Sequence, residues 1–194
     1  MNPFTTHKQL LSKYLHSETI PYLEHAWNEP HRFYHNINHL IDIISEIDKS
    51  HFKLDPITYD TLILAAFFHD CYYNPRENKI HENESIKRFL VSYNYKDINI
   101  KNSVIAIIES TKYRKRPLPF LLKLFWEADN SGFLKGYEYL LKTENLIRKE
   151  FNFVSRSTYK EKRIEFLKSN FGLFNKNADE DLKKLIIYVE NSYK

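Results

Sequence analysis

Apolar residues recur along most of this chain at intervals of three and four residues, which is the spacing of one face of an α-helix. Two examples are the apolar positions Leu40, Ile41, Ile44 and Ile47 and, later in the chain, Leu121, Leu122 and Phe125. The strict alternation that is typical of half-buried strands is not the dominant pattern. The sequence therefore predicts an all-α fold, a helical bundle.

Capping residues and prolines divide this pattern into separate helices. Candidate N-caps are Thr6 with Gln9 as a capping box, Asp55 before a first-turn proline, Asp97 and Ser157. Breaks come at Pro30, Pro75 and the RPLP run. The signals together predict helices over residues 6–16, 19–28, 37–49, 56–70, 83–93, 97–112, 118–129, 133–152, 157–170 and 178–192.

The whole chain, residues 1–194, is predicted to form one domain, because its length suits a single hydrophobic core. Hydrophobic residues make up 42% of the sequence, with 14 Tyr and 14 Phe, which is too apolar for a disordered chain. No repeat or Gly/Ser linker divides it. The Lys- and Glu-rich part after about residue 151 suits an appended helical hairpin.

Composition excludes several classes of protein. A single cysteine, Cys71, rules out an internal disulfide and a thiolate zinc cluster. No segment resembles a signal peptide or a membrane-spanning helix, so we expect a cytoplasmic protein with no membrane association. The net charge of +4 suits an anionic ligand but is small for a dedicated nucleic-acid binder. The 3 glycines form no phosphate-binding loop.

Candidate metal ligands stand at the ends of apolar runs. His69 and Asp70 close the run LILAAFFHD, where a buried helix meets a polar loop, although this dipeptide alone is close to chance and a capping histidine is the alternative. Asp129 closes LLKLFWEAD in the same way. An acid at a helix C-terminus opposes the helix dipole, so it calls for a cation, although a simple turn aspartate is the alternative.

Two histidines supply a further candidate pair. His35 and His39 are four residues apart in RFYHNINHL, so both imidazoles share one face if this segment is already helical. The alternative is that one of the pair caps a helix or packs in the core, since Phe33 and Tyr34 are apolar neighbours. The spacing therefore favours two histidines facing one site.

His39, His69, Asp70 and Asp129 occur along the chain in the same order as the ligand set of the HD-domain phosphohydrolases, and they resemble that set. It consists of a His, then an adjacent His-Asp, then a distant Asp. YHNINH and ADNS look like segments of cyclic-nucleotide phosphodiesterases, but HDCYY has Tyr73 where those enzymes have a histidine, which argues against their second metal site. A likeness over most of the chain is to compact bacterial proteins described as predicted metal-dependent HD phosphohydrolases. YHNINH, FHDCYY, NESI and EAD carry that likeness.

The resemblance implies an HD-domain bundle in which His39, His69, Asp70 and Asp129 hold a divalent ion, with His35 as the general acid. Mixed nitrogen and oxygen ligands suit Mn, Mg, Fe or Zn. Asp70 or Asp129 would orient the attacking water, so Asp70 has both a metal-binding and a catalytic role. We expect hydrolysis of a phosphate ester or anhydride in a small phosphorylated substrate such as a nucleotide.

Other polar residues have weaker claims. Glu84 in NESI is either an acid or base near the metal or a first-turn helix acid, and the two interpretations are equally good. Arg32, Arg76 and Lys79 flank the ligands in sequence and could bind substrate phosphates, with exposed solvated charges as the alternative.

Two other functions remain open at this point. An HD-fold di-iron oxygenase would need more histidine ligands, for which His81 is a candidate. A non-catalytic regulatory module that binds a nucleotide is the second, because enzyme folds often lose their activity. A symmetric homodimer is the default expectation for the oligomeric state.

Overall fold

The computed structural model of the protein describes residues 2–50, 53–77, 80–113 and 115–193. Within these residues there are eleven α-helices and no β-strand, which confirms the predicted all-α fold class. The helices are α1 (Pro3–Thr6), α2 (Lys8–Tyr14), α3 (Thr19–Ala26), α4 (Ile37–Ser50), α5 (Pro56–Phe68), α6 (His81–Ser92), α7 (Ile98–Ser110), α8 (Phe120–Asp129), α9 (Tyr137–Glu150), α10 (Arg156–Lys168) and α11 (Lys176–Ser192), with a 3₁₀ helix at Ser131–Leu134. None of these described helices has both the length and the apolarity needed to cross a membrane.

Two of the predicted N-caps are confirmed. Asp55 Oδ1 accepts hydrogen bonds from the backbone N–H groups of Ile57 and Thr58, each at 3.0 Å. Asp97 Oδ1 accepts one from the Asn99 N–H at 2.8 Å. These aspartates satisfy backbone donors that no helical carbonyl can reach, so α5 and α7 begin at the next residue.

Other predicted boundaries are wrong, in each case because a neighbouring residue takes the role of cap or break. The predicted helix 6–16 corresponds to the shorter α2 (Lys8–Tyr14), and a separate helix α1 precedes it from residue 3, where Asn2 Oδ1 accepts the Phe4 N–H at 2.9 Å. Helix α10 begins after Ser155, whose Oγ accepts the Thr158 N–H at 3.2 Å, so residue 157 is inside the helix. Gly136, at φ +87°, interrupts the predicted helix 133–152 because that conformation is left-handed.

The described chain divides into two compact units. The first comprises residues 2–113 and 117–129, and the second comprises residues 115–116 and 130–193. This division falls at the end of α8, earlier than the hairpin predicted from about residue 151. Whether the chain is one domain, as the composition indicates, stays a prediction.

Helix α5 is the centre of the first unit. All residues from Thr61 to Phe68 are buried, and the helix packs against α4, α6, α7 and α8. Helices α4 and α8 also pack against each other. The end of α5, the start of α4 and the end of α8 carry the candidate ligands, so the packing of these three helices determines where those side chains meet.

The second unit has its own core, in which α9 and α10 both pack against α11. Its buried apolar residues are Leu140, Leu167, Leu182, Leu185, Ile186 and Val189. Glu144 is also fully buried there, and its two carboxylate oxygens accept hydrogen bonds from Tyr159 Oη at 2.8 Å and Arg163 Nε at 2.6 Å. This buried charge is therefore neutralised and hydrogen-bonded within the unit.

Candidate metal centre

His35 and His39 lie on either side of the start of α4. Asn36 Oδ1 accepts the Asn38 N–H at 2.9 Å, and this local turn starts the helix at the residue after Asn36. His39 is therefore buried in the first helical turn, while His35 lies in the turn before it. The two imidazole rings are nevertheless neighbours, with centroids 5.7 Å apart.

His69 follows the last residue of α5 and is buried. Its Nδ1 lies 2.9 Å from the carbonyl oxygen of Ala66, and because a carbonyl only accepts, Nδ1 carries the proton. In the neutral ring Nε2 then presents a lone pair. Within the described part of the chain, Nε2 is buried without a hydrogen-bond partner, between contacts of the ring with Trp27 and Phe125 at 5.5 Å.

Asp129 is the last residue of α8 and faces the same two histidines. Its Oδ1 lies 3.2 Å from His39 Nε2 and 3.8 Å from His69 Nε2. Burial acts to raise the pKa of the Asp129 carboxyl, but the hydrogen bond from His39 and the nearby imidazoles of His69, His39 and His35 outweigh it and lower that pKa. The carboxylate form is thus favoured, which is the form that binds cations.

The structure brings three of the four predicted metal ligands into one group, and Asp129 lies beside the two histidines of that group. His39, His69 and Asp70 each present one ligand atom, and these three atoms lie within 4.8 Å of one another. Asp70 Oδ2 is 3.4 Å from His69 Nε2. The histidine side chains are 7% and 2% exposed, whereas those of Asp70 and Asp129 are 19% and 23% exposed. The carboxylates therefore mark the side of the cluster that a solute can reach.

The other two catalytic candidates have different surroundings. The His35 ring stacks on Tyr73 at 4.3 Å between centroids and makes an edge contact with Tyr34 at 4.9 Å, next to His39. Glu84 lies in the first turn of α6, where its Oε1 accepts a 2.6 Å hydrogen bond from Lys87 Nζ. The placement brings His35 to the cluster, while the Glu84 contact suits a first-turn helix acid.

The three predicted phosphate-binding residues are also in different places. Arg32 has a fully buried side chain whose Nε and Nη2 both lie 2.9 Å from Glu29 Oε2. Arg76 is exposed in the turn after the site, where its backbone N–H donates to Asn74 Oδ1 at 3.1 Å. Lys79 lies outside the described residues. A role in substrate binding stays a prediction for all three.

Several residues of this region were not identified from the sequence as neighbours of the candidate ligands. Tyr73 contacts His35, and Trp27 contacts His69. In each of these two pairs, a long stretch of chain separates the aromatic residue from the histidine. Ser85 is fully buried, and its Oγ accepts the Tyr72 N–H at 3.2 Å, which ties the loop after α5 to α6. NESI contains this serine, but only its acid suggested chemistry.

His81, the candidate extra ligand of a di-iron oxygenase, lies outside the three-ligand group. Its Nε2 is 2.7 Å from the Asn74 carbonyl oxygen, so this nitrogen donates a proton rather than a lone pair. Among the described residues, His39, His69 and Asp70 form the one group of three or more such side chains that could hold an ion. The geometry thus offers one metal position in the described part of the chain.

Comparison of the chain with models of known families, with curated proteins and with solved structures found no match. The resemblance to HD phosphohydrolases therefore depends on the motifs YHNINH, FHDCYY, NESI and EAD. The arrangement of His39, His69, Asp70 and Asp129 is a property of this structure and does not depend on that resemblance.

Proposed function

We propose that this chain is a metal-dependent phosphohydrolase of the HD type. The observation that carries the proposal is the cluster of His39, His69 and Asp70 with Asp129 at its edge, assembled from α4, the end of α5 and the end of α8. These are the residues and the chain order that the motif resemblance implies as ligands. A divalent ion is the cofactor of the proposal.

The donor atoms present suit such an ion. The buried Nε2 of His69 has a lone pair and no donor among the described residues. Two carboxylates lie beside it, with Asp70 Oδ2 at 3.4 Å and Asp129 Oδ1 at 3.8 Å. Buried unsatisfied acceptors that converge with carboxylates are a costly arrangement unless a cation binds them. Mixed imidazole and carboxylate ligands suit Mn²⁺, Fe²⁺, Zn²⁺ or Mg²⁺.

When bound, such an ion lowers the pKa of water and polarises a phosphoryl oxygen. The chain itself supplies the other functions. Asp70 and Asp129 keep part of their carboxylate surface exposed, so either can accept a proton from a water molecule and orient it. His35, whose ring lies next to His39 and against Tyr73, would give a proton to the departing oxygen.

The substrate class follows from charge and from the resemblance. The chain carries a net charge of +4, which favours an anionic substrate, and the likeness to phosphodiesterases favours a nucleotide or another small phosphorylated molecule. We propose cleavage of a phosphate ester or anhydride by activated water. A cytoplasmic location and a homodimer stay predictions beside it.

The test is phosphate release from a panel of nucleotides and phosphoesters by protein loaded with Mn²⁺, together with elemental analysis of the bound ion. The His35→Gln variant should lose about 10²- to 10⁴-fold in kcat, because a general acid is removed, while its Mn²⁺ affinity stays near that of the wild type. His25→Gln, on the exposed surface of α3, is the matched control and should change neither quantity.

Release of phosphate from no member of the panel would contradict the proposal. Two bound ions per chain, with oxygen uptake, would favour the oxygenase instead. Nucleotide binding without turnover would favour the regulatory module.

A further inference from the structure

The side chain of Arg32 is fully buried next to the cluster, and every nitrogen of its guanidinium is engaged. Nη1 donates to the carbonyl oxygens of Asp70 at 2.6 Å and His35 at 3.3 Å. Nη2 donates to the Cys71 carbonyl at 3.3 Å and lies 2.9 Å from Glu29 Oε2, which also accepts from Nε at 2.9 Å. Each nitrogen of the guanidinium thus meets an acceptor within the protein.

The carbonyl acceptors of Arg32 belong to the two segments that carry most of the site. The His35 carbonyl lies in the turn that leads into α4 and His39. The carbonyls of Asp70 and Cys71 lie just beyond α5, and Asp70 is itself a candidate ligand. One side chain therefore joins the backbone of the His35 turn to the backbone of the His69-Asp70 segment.

The surroundings of Arg32 hold it in this position. Glu29 supplies the opposite charge that a buried cation requires, and the rings of Trp27 and Tyr73 lie 5.7 and 5.5 Å from the guanidinium carbon. Trp27 also contacts the ring of His69, and Tyr73 stacks on His35. A planar fork can reach three carbonyls and one carboxylate at once, which the single ammonium of lysine cannot.

We propose that Arg32 is a positioning residue for the metal centre, and that it sets the separation of the His35–His39 segment from the His69–Asp70 segment. The inference rests on the proposed function, because it assumes that these segments hold an ion. It gives Arg32 a different role from binding a substrate phosphate. Loss of the guanidinium would loosen the ligands without removing any of them.

The test measures metal binding directly, with Mn²⁺ and Co²⁺ as the probes. Isothermal titration of Arg32→Lys with Mn²⁺ should give an affinity about 10- to 100-fold weaker than that of the wild type, the range usual for loss of a group that orients ligands. The visible absorption spectrum of bound Co²⁺ should also change, because it reports ligand geometry. A residue that contributed to folding alone would alter neither quantity in the folded protein.

Leu11→Ala is the matched control for lost stability, since Leu11 is fully buried in α2, which carries no candidate ligand. It should lower the unfolding temperature and leave the Mn²⁺ affinity and the Co²⁺ spectrum unchanged. If Arg32→Lys fails to fold, the same measurements are made on Glu29→Gln. Glu29 is part exposed, and its carboxylate holds the Arg32 guanidinium in place. That variant should also bind Mn²⁺ more weakly.

The outcomes separate this inference from the proposed function. A wild-type chain that binds neither ion overturns the proposed function and this inference with it. Wild-type Mn²⁺ affinity and an unchanged Co²⁺ spectrum in folded Arg32→Lys, or in Glu29→Gln where the lysine variant does not fold, overturn this inference alone.

Discussion

Replacing His69 by leucine should have opposite consequences for the metal-free and the metal-loaded protein. In the metal-free chain the substitution removes the hydrogen bond from Nδ1 to the Ala66 carbonyl, worth about 1 kcal/mol. It also removes the buried Nε2 that has no partner among the described residues, which relieves about 1–3 kcal/mol. Leucine suits the contacts with Trp27 and Phe125, so the variant should be as stable as the wild type or up to about 2 kcal/mol more stable.

In the presence of metal, the wild type should be more stable than His69→Leu. At a free Mn²⁺ concentration 100 times the Kd, binding to the folded state alone adds about 2.7 kcal/mol to the free energy of unfolding of the wild type. For a chain of this length that corresponds to a rise of about 5–11 °C in the unfolding temperature. His69→Leu lacks one of the convergent ligands and should show little or none of this rise.

The assay is urea unfolding at pH 8, with chelator or with Mn²⁺, followed by tryptophan fluorescence. Both tryptophans, Trp27 and Trp126, belong to the first unit, so the signal reports on the part of the chain that carries the site. Glu24→Gln, an exposed acid on α3, is the control and should keep the full metal response. A wild-type metal response in His69→Leu would refute its assignment as a ligand, and a loss above about 2 kcal/mol in chelator would refute the cost assigned to Nε2.

Three further predictions test other parts of the structure. Arg163→Met should destabilise the second unit by about 3–5 kcal/mol, measured by hydrogen exchange, because it leaves the carboxylate of Glu144 buried without its cation. Hydrogen bonds from the Thr58 hydroxyl and backbone lower the pKa of Asp55, so the difference in unfolding temperature between wild type and Asp55→Asn should be constant above about pH 5 and shrink below it. Burial raises the pKa of the Cys71 thiol to about 12, so iodoacetamide at pH 8 should label it only on unfolding, as read by mass spectrometry.

Much of the helical framework could be predicted because its signals are local. The apolar run before His69 predicted a buried helix, and Asp55 with its following proline predicted where that helix begins. Boundaries failed where two good caps compete within a few residues, as with Ser155 and the serine two positions later. The division at the end of α8 could not be predicted, because it depends on which helices pack together rather than on composition.

For the candidate site, the sequence predicted only what can be deduced from residue type and from the order of residues along the chain. His39, His69, Asp70 and Asp129 stood out because imidazoles and carboxylates follow apolar runs. The contacts that support these ligands have no corresponding pattern in the sequence. Trp27, for example, lies 42 residues before His69 in the chain and contacts it only because the helices pack together. Arg32 was identified as a charge near the ligands, but only the structure shows that it is buried and that it donates to backbone carbonyls and to Glu29.

Two clusters of buried polar groups among the described residues differ in a way that distinguishes a structural cluster from a candidate binding site. In the second unit, both oxygens of Glu144 meet donors, from Tyr159 and Arg163, so the cluster is complete within the protein. In the first unit, the lone pair of His69 faces carboxylate oxygens that are also acceptors, at 3.4 and 3.8 Å. Acceptors that converge on one another cost stability, and natural proteins tolerate that cost mainly where function requires it. A cation is the ligand that would satisfy all of these acceptors at once, which is why the first cluster is the better candidate for chemistry.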